Sequence, residues 1–255
     1  MKKILLPLLL ITSGGVIAQK LEGAFKIKAA QYGDKSLSQQ ELSKQQVVKI
    51  FKNGYWIGAF FGDPKKPFSG TCGGTYKIEN GKYLETVNFY SWDSTAVGDT
   101  YSFNYKLDND TYVQDGRMDS EKYPNYIIKE EFTKFRTEVP LKNASMEGAW
   151  ILQDATCLDK AGKETSVKNY EQIKIYCYPR FAYAQYNAQT KQFIGAGGGT
   201  YQYDGKKLTE HIEYTTYENA LGSDYEIEVE NGVSGNIQQL SQKGFYRETW
   251  KQLKQ

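Results

Sequence analysis

Gly70-Thr71-Cys72-Gly73-Gly74-Thr75-Tyr76 returns later in the chain as Gly195-Ala196-Gly197-Gly198-Gly199-Thr200-Tyr201. The spacing is 125 residues, position 198 against position 73, and the flanks keep it. Leu21-Glu22-Gly23-Ala24-Phe25 returns as Met146-Glu147-Gly148-Ala149-Trp150, and Glu85 returns as Glu210. A period this long is a whole domain, because solenoid repeats run about 20–50 residues. The chain is therefore two related domains, and a residue kept in both constrains fold or function. The gapless match runs from about residue 21 to residue 90. Beyond it Glu248 answers Glu130 at a spacing of 118, so the second copy is 7 residues shorter in its sixth to eighth strands or their loops.

The repeated unit reads as strands. Twenty-one tyrosines and twelve phenylalanines fall largely in alternating runs, the period of a half-buried strand. Tyr101-Ser102-Phe103-Asn104-Tyr105-Lys106-Leu107 alternates throughout, as does Tyr225-Glu226-Ile227-Glu228-Val229. Asn53-Gly54, Asn80-Gly81, Asp204-Gly205 and Asn231-Gly232 mark tight turns between them. This predicts about eight strands per copy. In the first they fall near 23–30, 46–52, 55–62, 71–78, 82–90, 100–107, 111–116 and 126–135. In the second they fall near 148–155, 171–178, 180–187, 196–203, 207–214, 222–229, 233–239 and 244–252. Helical periodicity is scarce; residues 37–46 hold at most a short helix. The expected fold is all-β: two tandem eight-stranded up-and-down antiparallel barrels, with a β-sandwich as the alternative. Closure removes the exposed edges that an open sheet must protect.

Domain boundaries follow. Lys2-Lys3 and the short apolar run Ile4 to Ile11 read as a signal peptide over 1–18, with cleavage near Ala18. Barrel 1 is expected over 19–138, a linker containing Pro140 over 139–145, and barrel 2 over 146–255. No later segment is apolar for long enough to span a bilayer. The expected location is secreted or periplasmic. Thirty-two basic residues against thirty acidic ones leave no strong field, which argues against nucleic acid as a partner. The oligomeric state is left open. Of the three cysteines, Cys157 and Cys177 are expected either to form a disulfide or to be buried thiols. Their counterparts are Tyr32 and Lys52, so the fold does not need the bridge.

The least usual residues are carboxylates on apolar faces. Glu85 alternates with Tyr83, Val87 and Phe89, and Glu210 with Leu208, Ile212 and Tyr214. Glu130 stands between Ile128 and Phe132, and Glu248 between Tyr246 and Trp250. Strand parity directs each set inward. A buried carboxylate needs a cation, a hydrogen-bond donor or a raised pKa. The structural reading makes them register-setting acceptors of tyrosine, amide or lysine bonds. The functional reading makes them polar anchors inside an aromatic cavity, orienting a ligand's hydroxyl or amine. Acid–base chemistry by a carboxylate pair is a third reading. Lys49 and Lys174 are basic in both copies but are read as pointing outward. His211, the single histidine, neighbours inward Glu210 and is expected on the surface, which disfavours haem ligation. The glycine runs lack the lysine and Ser/Thr of a phosphate loop. They read as bends or close approaches in a strand, against a tryptophan from the first or last strand. No metal-ligand spacing is present.

Phe193-Ile194-Gly195-Ala196-Gly197-Gly198-Gly199-Thr200-Tyr201, Thr209-Glu210-His211-Ile212-Glu213-Tyr214, the opening Glu147-Gly148-Ala149-Trp150 and the closing Glu248-Thr249-Trp250-Lys251 resemble the bacterial secreted lipocalin-like (calycin-type) proteins. The first copy departs at Phe25, Thr86 and Phe132. The resemblance implies a β-barrel with an internal ligand site and no agreed reaction or cofactor. The expected function is an exported, non-enzymatic binder of a small, mostly apolar ligand with a polar group. Candidate ligand residues are Glu210, Tyr201, Glu248, Trp250 and Trp150 in the second copy and Glu85, Tyr76 and Glu130 in the first. No catalytic or metal residue is nominated. The ligand is expected in the second copy, which keeps the fuller pattern. The alternatives are a packed structural or protein-interaction module, or an enzyme or haem protein using the interior glutamates.

Overall fold

The structure is a computed structural model describing residues 21–254 except 64–65, 136–137, 159–162, 167–168, 235–236 and 243–245. The leader over 1–18 lies outside the described residues. The first copy runs β1 (Gly23–Tyr32), β2 (Lys35–Ser36), α1 (Gln39–Lys44), β3 (Gln46–Lys52), β4 (Tyr55–Asp63), β5 (Lys66–Glu79), β6 (Lys82–Tyr90), β7 (Thr100–Asp108), β8 (Thr111–Met118) and β9 (Tyr126–Lys134). From β3 to β9 each strand pairs antiparallel with the next, and β1 pairs with both β3 and β9. Eight strands thus close into a barrel, which removes the sandwich alternative for this copy; β2 is a tab on β1. The second copy runs α2 (Leu141–Ala144), β10 (Gly148–Leu158), β11 (Glu164–Ser166), β12 (Glu171–Cys177), β13 (Arg180–Asn187), β14 (Gln192–Tyr203), β15 (Lys207–Thr215), β16 (Asp224–Ser234), β17 (Ile237–Gln242) and β18 (Tyr246–Leu253). It repeats the order as a second barrel-like unit in which β10 pairs with β12 and β18.

The turn chemistry explains the hairpins. Asn53-Gly54 and Asn80-Gly81 all take positive φ, at 52°, 77°, 51° and 72°. That is the type I′ geometry matching strand twist. Asn231-Gly232 does not make a tip: it lies inside β16, where the register slips between Glu230 and Ser234. The short helix α1 starts after Ser38, whose side chain caps Glu41 N–H while the Glu41 carboxylate returns to the Ser38 amide. The stretch expected as a bare linker instead carries α2 and is anchored by Asn143, which is buried.

Register slips recur in both copies at matching places. Lys28 and Gln153 are the extra residues in β1 and β10, Ser69 and Ile194 in β5 and β14, and Asn88 and Glu213 in β6 and β15. Each pair is 125 residues apart. A bulge flips the alternation of everything after it. Val87 and Ile212 therefore face the interior as expected, but Phe89 and Tyr214 do not: they face outward, into the packing between the two copies.

That packing explains the apolar run Val47-Val48-Lys49-Ile50-Phe51. Val48 and Ile50 of β3, with Ile57, Ala59 and Phe61 of β4, pack against Ile173, Ile175, Ala182 and Ala184 of β12 and β13. Phe61 stacks on Tyr214 at 4.4 Å and Phe89 on Tyr186 at 5.3 Å. Phe61 corresponds to Tyr186 and Phe89 to Tyr214 by the 125-residue spacing. The two stacks are thus one contact made twice, the reciprocal pattern of a two-fold interface. Lys52 joins Glu22 at 3.3 Å and its counterpart Glu147 at 2.8 Å across the same junction.

The glycine strands meet adjacent strands, not a tryptophan from the first or last. A Cβ on Gly73 would stand 2.4 Å from the Phe89 ring and 2.6 Å from the Trp56 carbonyl. One on Gly199 would stand 1.9 Å from the His211 carbonyl, because the β15 bulge pushes backbone onto it.

Candidate functional site

The main correction concerns Lys49 and Lys174. Both point into the barrels, and both are buried. β3 and β12 are covered on both faces, by the interior on one side and by the other copy on the second. No face of these strands was free to take an outward lysine. Lys49 Nζ lies 3.0 Å from Glu85 Oε2 and donates to Gln114 Oε1 at 2.8 Å. Lys174 Nζ lies 3.1 Å from Glu210 Oε1. A buried carboxylate without a partner costs several kcal/mol, so the kept glutamate and the kept lysine explain each other.

Each glutamate also accepts a tyrosine hydroxyl, from a different strand in each copy. Tyr83 on β6 donates to Glu85 at 2.7 Å, whereas Tyr176 on β12 donates to Glu210. Leu208 replaces Tyr83 in the second copy, and Phe51 replaces Tyr176 in the first. The second carboxylate shows the same exchange. Tyr32 on β1 donates to Glu130 at 2.6 Å, and Tyr246 on β18 bonds Glu248. Tyr32 pairs across the sheet with Ile128, and Cys157 with Tyr246. The tyrosine has crossed one rung of the same ladder and kept its carboxylate. Burial first, then the neighbouring carboxylates, raises the Tyr32, Tyr83 and Tyr176 hydroxyls well above their ordinary range, so they stay protonated donors.

The copies differ at the second glutamate. Glu248 also accepts the Trp250 indole N–H at 2.7 Å. Phe132 stands in that place in the first copy and has no donor. Tyr32 is the one hydrogen-bond donor to Glu130 among the described residues. Burial raises the Glu130 carboxyl above its ordinary value, Glu85 adds to this, and Lys49 and Tyr32 oppose it. Burial alone pulls Lys174 down, but Glu210 and Glu248 together hold it above its ordinary value.

Cavities lie over these clusters. In the first barrel a cavity of about 220 Å³ is bounded by Lys49, Glu85, Gln114 and Glu130 and by the rings of Trp56, Phe60, Tyr90, Trp92, Tyr101, Tyr123 and Tyr126. Trp92, Tyr123 and Tyr126 are half-buried and rim it. In the second unit a cavity of about 300 Å³ is bounded by Lys174, Glu210, Glu248, Gln172, Gln185 and Ser241, with Tyr217 and Ala220 of the short turn after β15. Here Gln185 donates to Gln172 at 3.1 Å and accepts from Tyr217, so the lining is more polar than the first.

The structure therefore gathers Glu85 with Glu130, and Glu210 with Glu248, each pair around one lysine. It does not bring Tyr76, Trp150 or Tyr201 to the cavities. The Tyr76 hydroxyl donates to the Leu21 carbonyl, Trp150 to the Met146 carbonyl at 3.1 Å, and Tyr201 to the Asn143 carbonyl at 3.4 Å. These rings plug the end of each unit where the chain enters. Trp250 serves Glu248 instead of bounding the void. His211 is exposed and bonds Asp224 at 2.7 Å on the outer surface, as its parity predicts. Cys157 and Cys177 are separate thiols. Gly148 pairs beside Tyr176, so Cys157 lies nine positions farther along β10, about 30 Å away at 3.3 Å per residue. A disulfide needs Cα atoms within about 7 Å. Sequence reasoning also missed Gln114, Tyr32 and Trp92, which differ between the copies and so left no repeat signal.

No family model and no curated protein matches the sequence. Among solved structures, the crystal structure of an uncharacterized Saccharomyces cerevisiae protein is similar, with a TM-score of 0.50 and 9% identity over 92% of this chain and 99% of that one. The likeness extends across both copies and shows a barrel fold.

Proposed function

We propose that the chain is an exported, non-enzymatic small-ligand-binding protein made of two lipocalin-like closed barrels. The observation that carries this reading is the first cavity: a ring-lined void with a cluster of charged and amide side chains at its wall. Ligand sites combine mostly apolar linings with a few placed polar groups, and an eight-stranded barrel holds one small ligand. At about 220 Å³ the void falls just below the usual range of about 300–1,000 Å³, so the ligand is small. Export rests on the leader pattern over residues 1–18. A packed structural module is the second reading, favoured by the Lys–Glu–Tyr clusters being bonded without any ligand. Native mass spectrometry of the protein, recovered from its own host without denaturation, separates the two. Binding predicts a co-purifying small molecule that the Glu130→Gln or Glu210→Gln variant loses. A bare mass for the wild-type chain supports the structural module instead.

A further inference from the structure

The two interiors carry the same formal charges, one lysine and two glutamates each, but they balance them differently. In the second, both glutamates are served: Glu210 by Lys174 and Tyr176, Glu248 by Tyr246 and Trp250. In the first, Glu85 is served by Lys49 and Tyr83, while Glu130 has Tyr32 alone among the described residues. The replacement of a tryptophan donor by Phe132 leaves Glu130 with acceptor capacity at the wall of an open cavity. Seven further aromatic rings bound the same space. Carboxylate acceptors and ring faces together select positive charge on a group that also donates hydrogen bonds.

We infer that the first barrel takes a small primary amine in its ammonium form, carried on an apolar or aromatic body of about one ring, with Glu130 as its anchor. This rests on the ligand-binding reading above and names the chemical class for one of the two cavities. The ammonium supplies the donor that Phe132 lacks, and its charge offsets the second carboxylate beside the Lys49–Glu85 pair. The body lies against the ring walls towards Trp92, Tyr123 and Tyr126.

The test uses the full mature chain and three probes of one shape: benzylamine, benzyl alcohol and benzoate. Isothermal titration calorimetry is expected to show benzylamine binding at least tenfold more tightly than benzyl alcohol, with no benzoate binding. Glu130→Gln is expected to lower benzylamine affinity at least tenfold, and Glu131→Gln, which alters the neighbouring carboxylate paired with exposed Lys28 and outside both cavities, to leave it unchanged. Indole N–H signals in two-dimensional NMR locate the site on the wild-type chain, so the result stands even if Glu130→Gln fails to fold. Shifts at Trp56 and Trp92 support the proposal; shifts confined to Trp150 and Trp250 overturn it. Equal affinity for benzylamine and benzyl alcohol overturns the amine assignment while the ligand-binding reading survives. No binding of any probe overturns the assignment too, and co-purification then decides the broader reading on its own.

Discussion

Replacing Lys49 by methionine removes a charge that the sequence alone places on the wrong side of its strand. The Lys49 and Glu85 side chains are 5% and 8% exposed, and their charged atoms are 3.0 Å apart. Methionine fills most of the same volume, so packing changes little. What changes is electrostatic: Glu85 is left buried with the Tyr83 hydroxyl as its donor and Glu130 nearby as a second carboxylate. Breaking a buried pair from one side costs about 3–5 kcal/mol. For a chain of this size that is a fall of about 10 °C in melting temperature. Adding Glu85→Gln removes the orphaned charge and is expected to recover more than half of the loss. Urea unfolding followed by far-ultraviolet circular dichroism at pH 7 reads both effects. A Lys49→Met midpoint within about 1 kcal/mol of wild type at pH 7, on the scale of a surface pair, refutes the reasoning.

The tyrosine exchange predicts that Tyr83→Phe costs about 1–2 kcal/mol, the worth of a hydrogen bond to a charged group, and that adding Phe51→Tyr, the arrangement of the second copy, restores part of it; no restoration in urea midpoints sinks the idea of interchangeable donors. Gly199→Ala is expected to destabilise the second unit by several kcal/mol or abolish soluble expression, since the new methyl overlaps the His211 carbonyl, whereas Gly222→Ala meets nothing within 4 Å and carries only its backbone cost. Glu130, facing Lys49, Glu85 and Tyr32, has its carboxyl raised above 4.5 by burial. The fold therefore holds this proton after the unfolded chain has lost it, and the group's contribution favours the fold below pH 4.5 and fades as pH rises through the raised value. Glu130→Gln should thus gain stability relative to wild type between pH 4 and pH 7; a constant difference contradicts this. Finally, the thiols are free, with Cys177 pushed up to about 12 by burial and Glu147. Half-buried Cys157 should react with a thiol reagent in the native protein while buried Cys177 waits for denaturant, and a reagent count unchanged by prior reduction is required.

Most of the barrel was legible because local and repeated signals agreed. The Asn-Gly turns, the alternation of Tyr101 to Leu107 and the 125-residue spacing each mark strands without knowledge of the partners. Glu85, Glu130, Glu210 and Glu248 were legible for the same reason: a carboxylate on an apolar face stands out against its own strand. What parity could not see was context on the far side of a strand. Alternation sends Lys49 and Lys174 outward only if one face of the strand meets solvent, yet β3 and β12 have no such face. It sends Phe89 and Tyr214 inward because a bulge adds one residue without leaving a mark in the pattern. Tyr76, Trp150 and Tyr201 share the inward parity of the site in the sequence. They are kept because they close the entry end of each unit, a packing demand that repeats as faithfully as a functional one. The Cys157–Cys177 pairing failed on distance along a strand, which spacing in sequence does not encode.

The claim on which the rest depends is that a lysine sits inside each unit at the wall of its cavity, and acylation of the native protein with an N-hydroxysuccinimide ester, read by peptide mass spectrometry, tests it most directly. Lys49 and Lys174 should remain unmodified until the protein is unfolded, while Lys82 and Lys207 on exposed strand ends react at once. Modification of Lys49 and Lys174 at the rate of Lys82 and Lys207 would contradict the account.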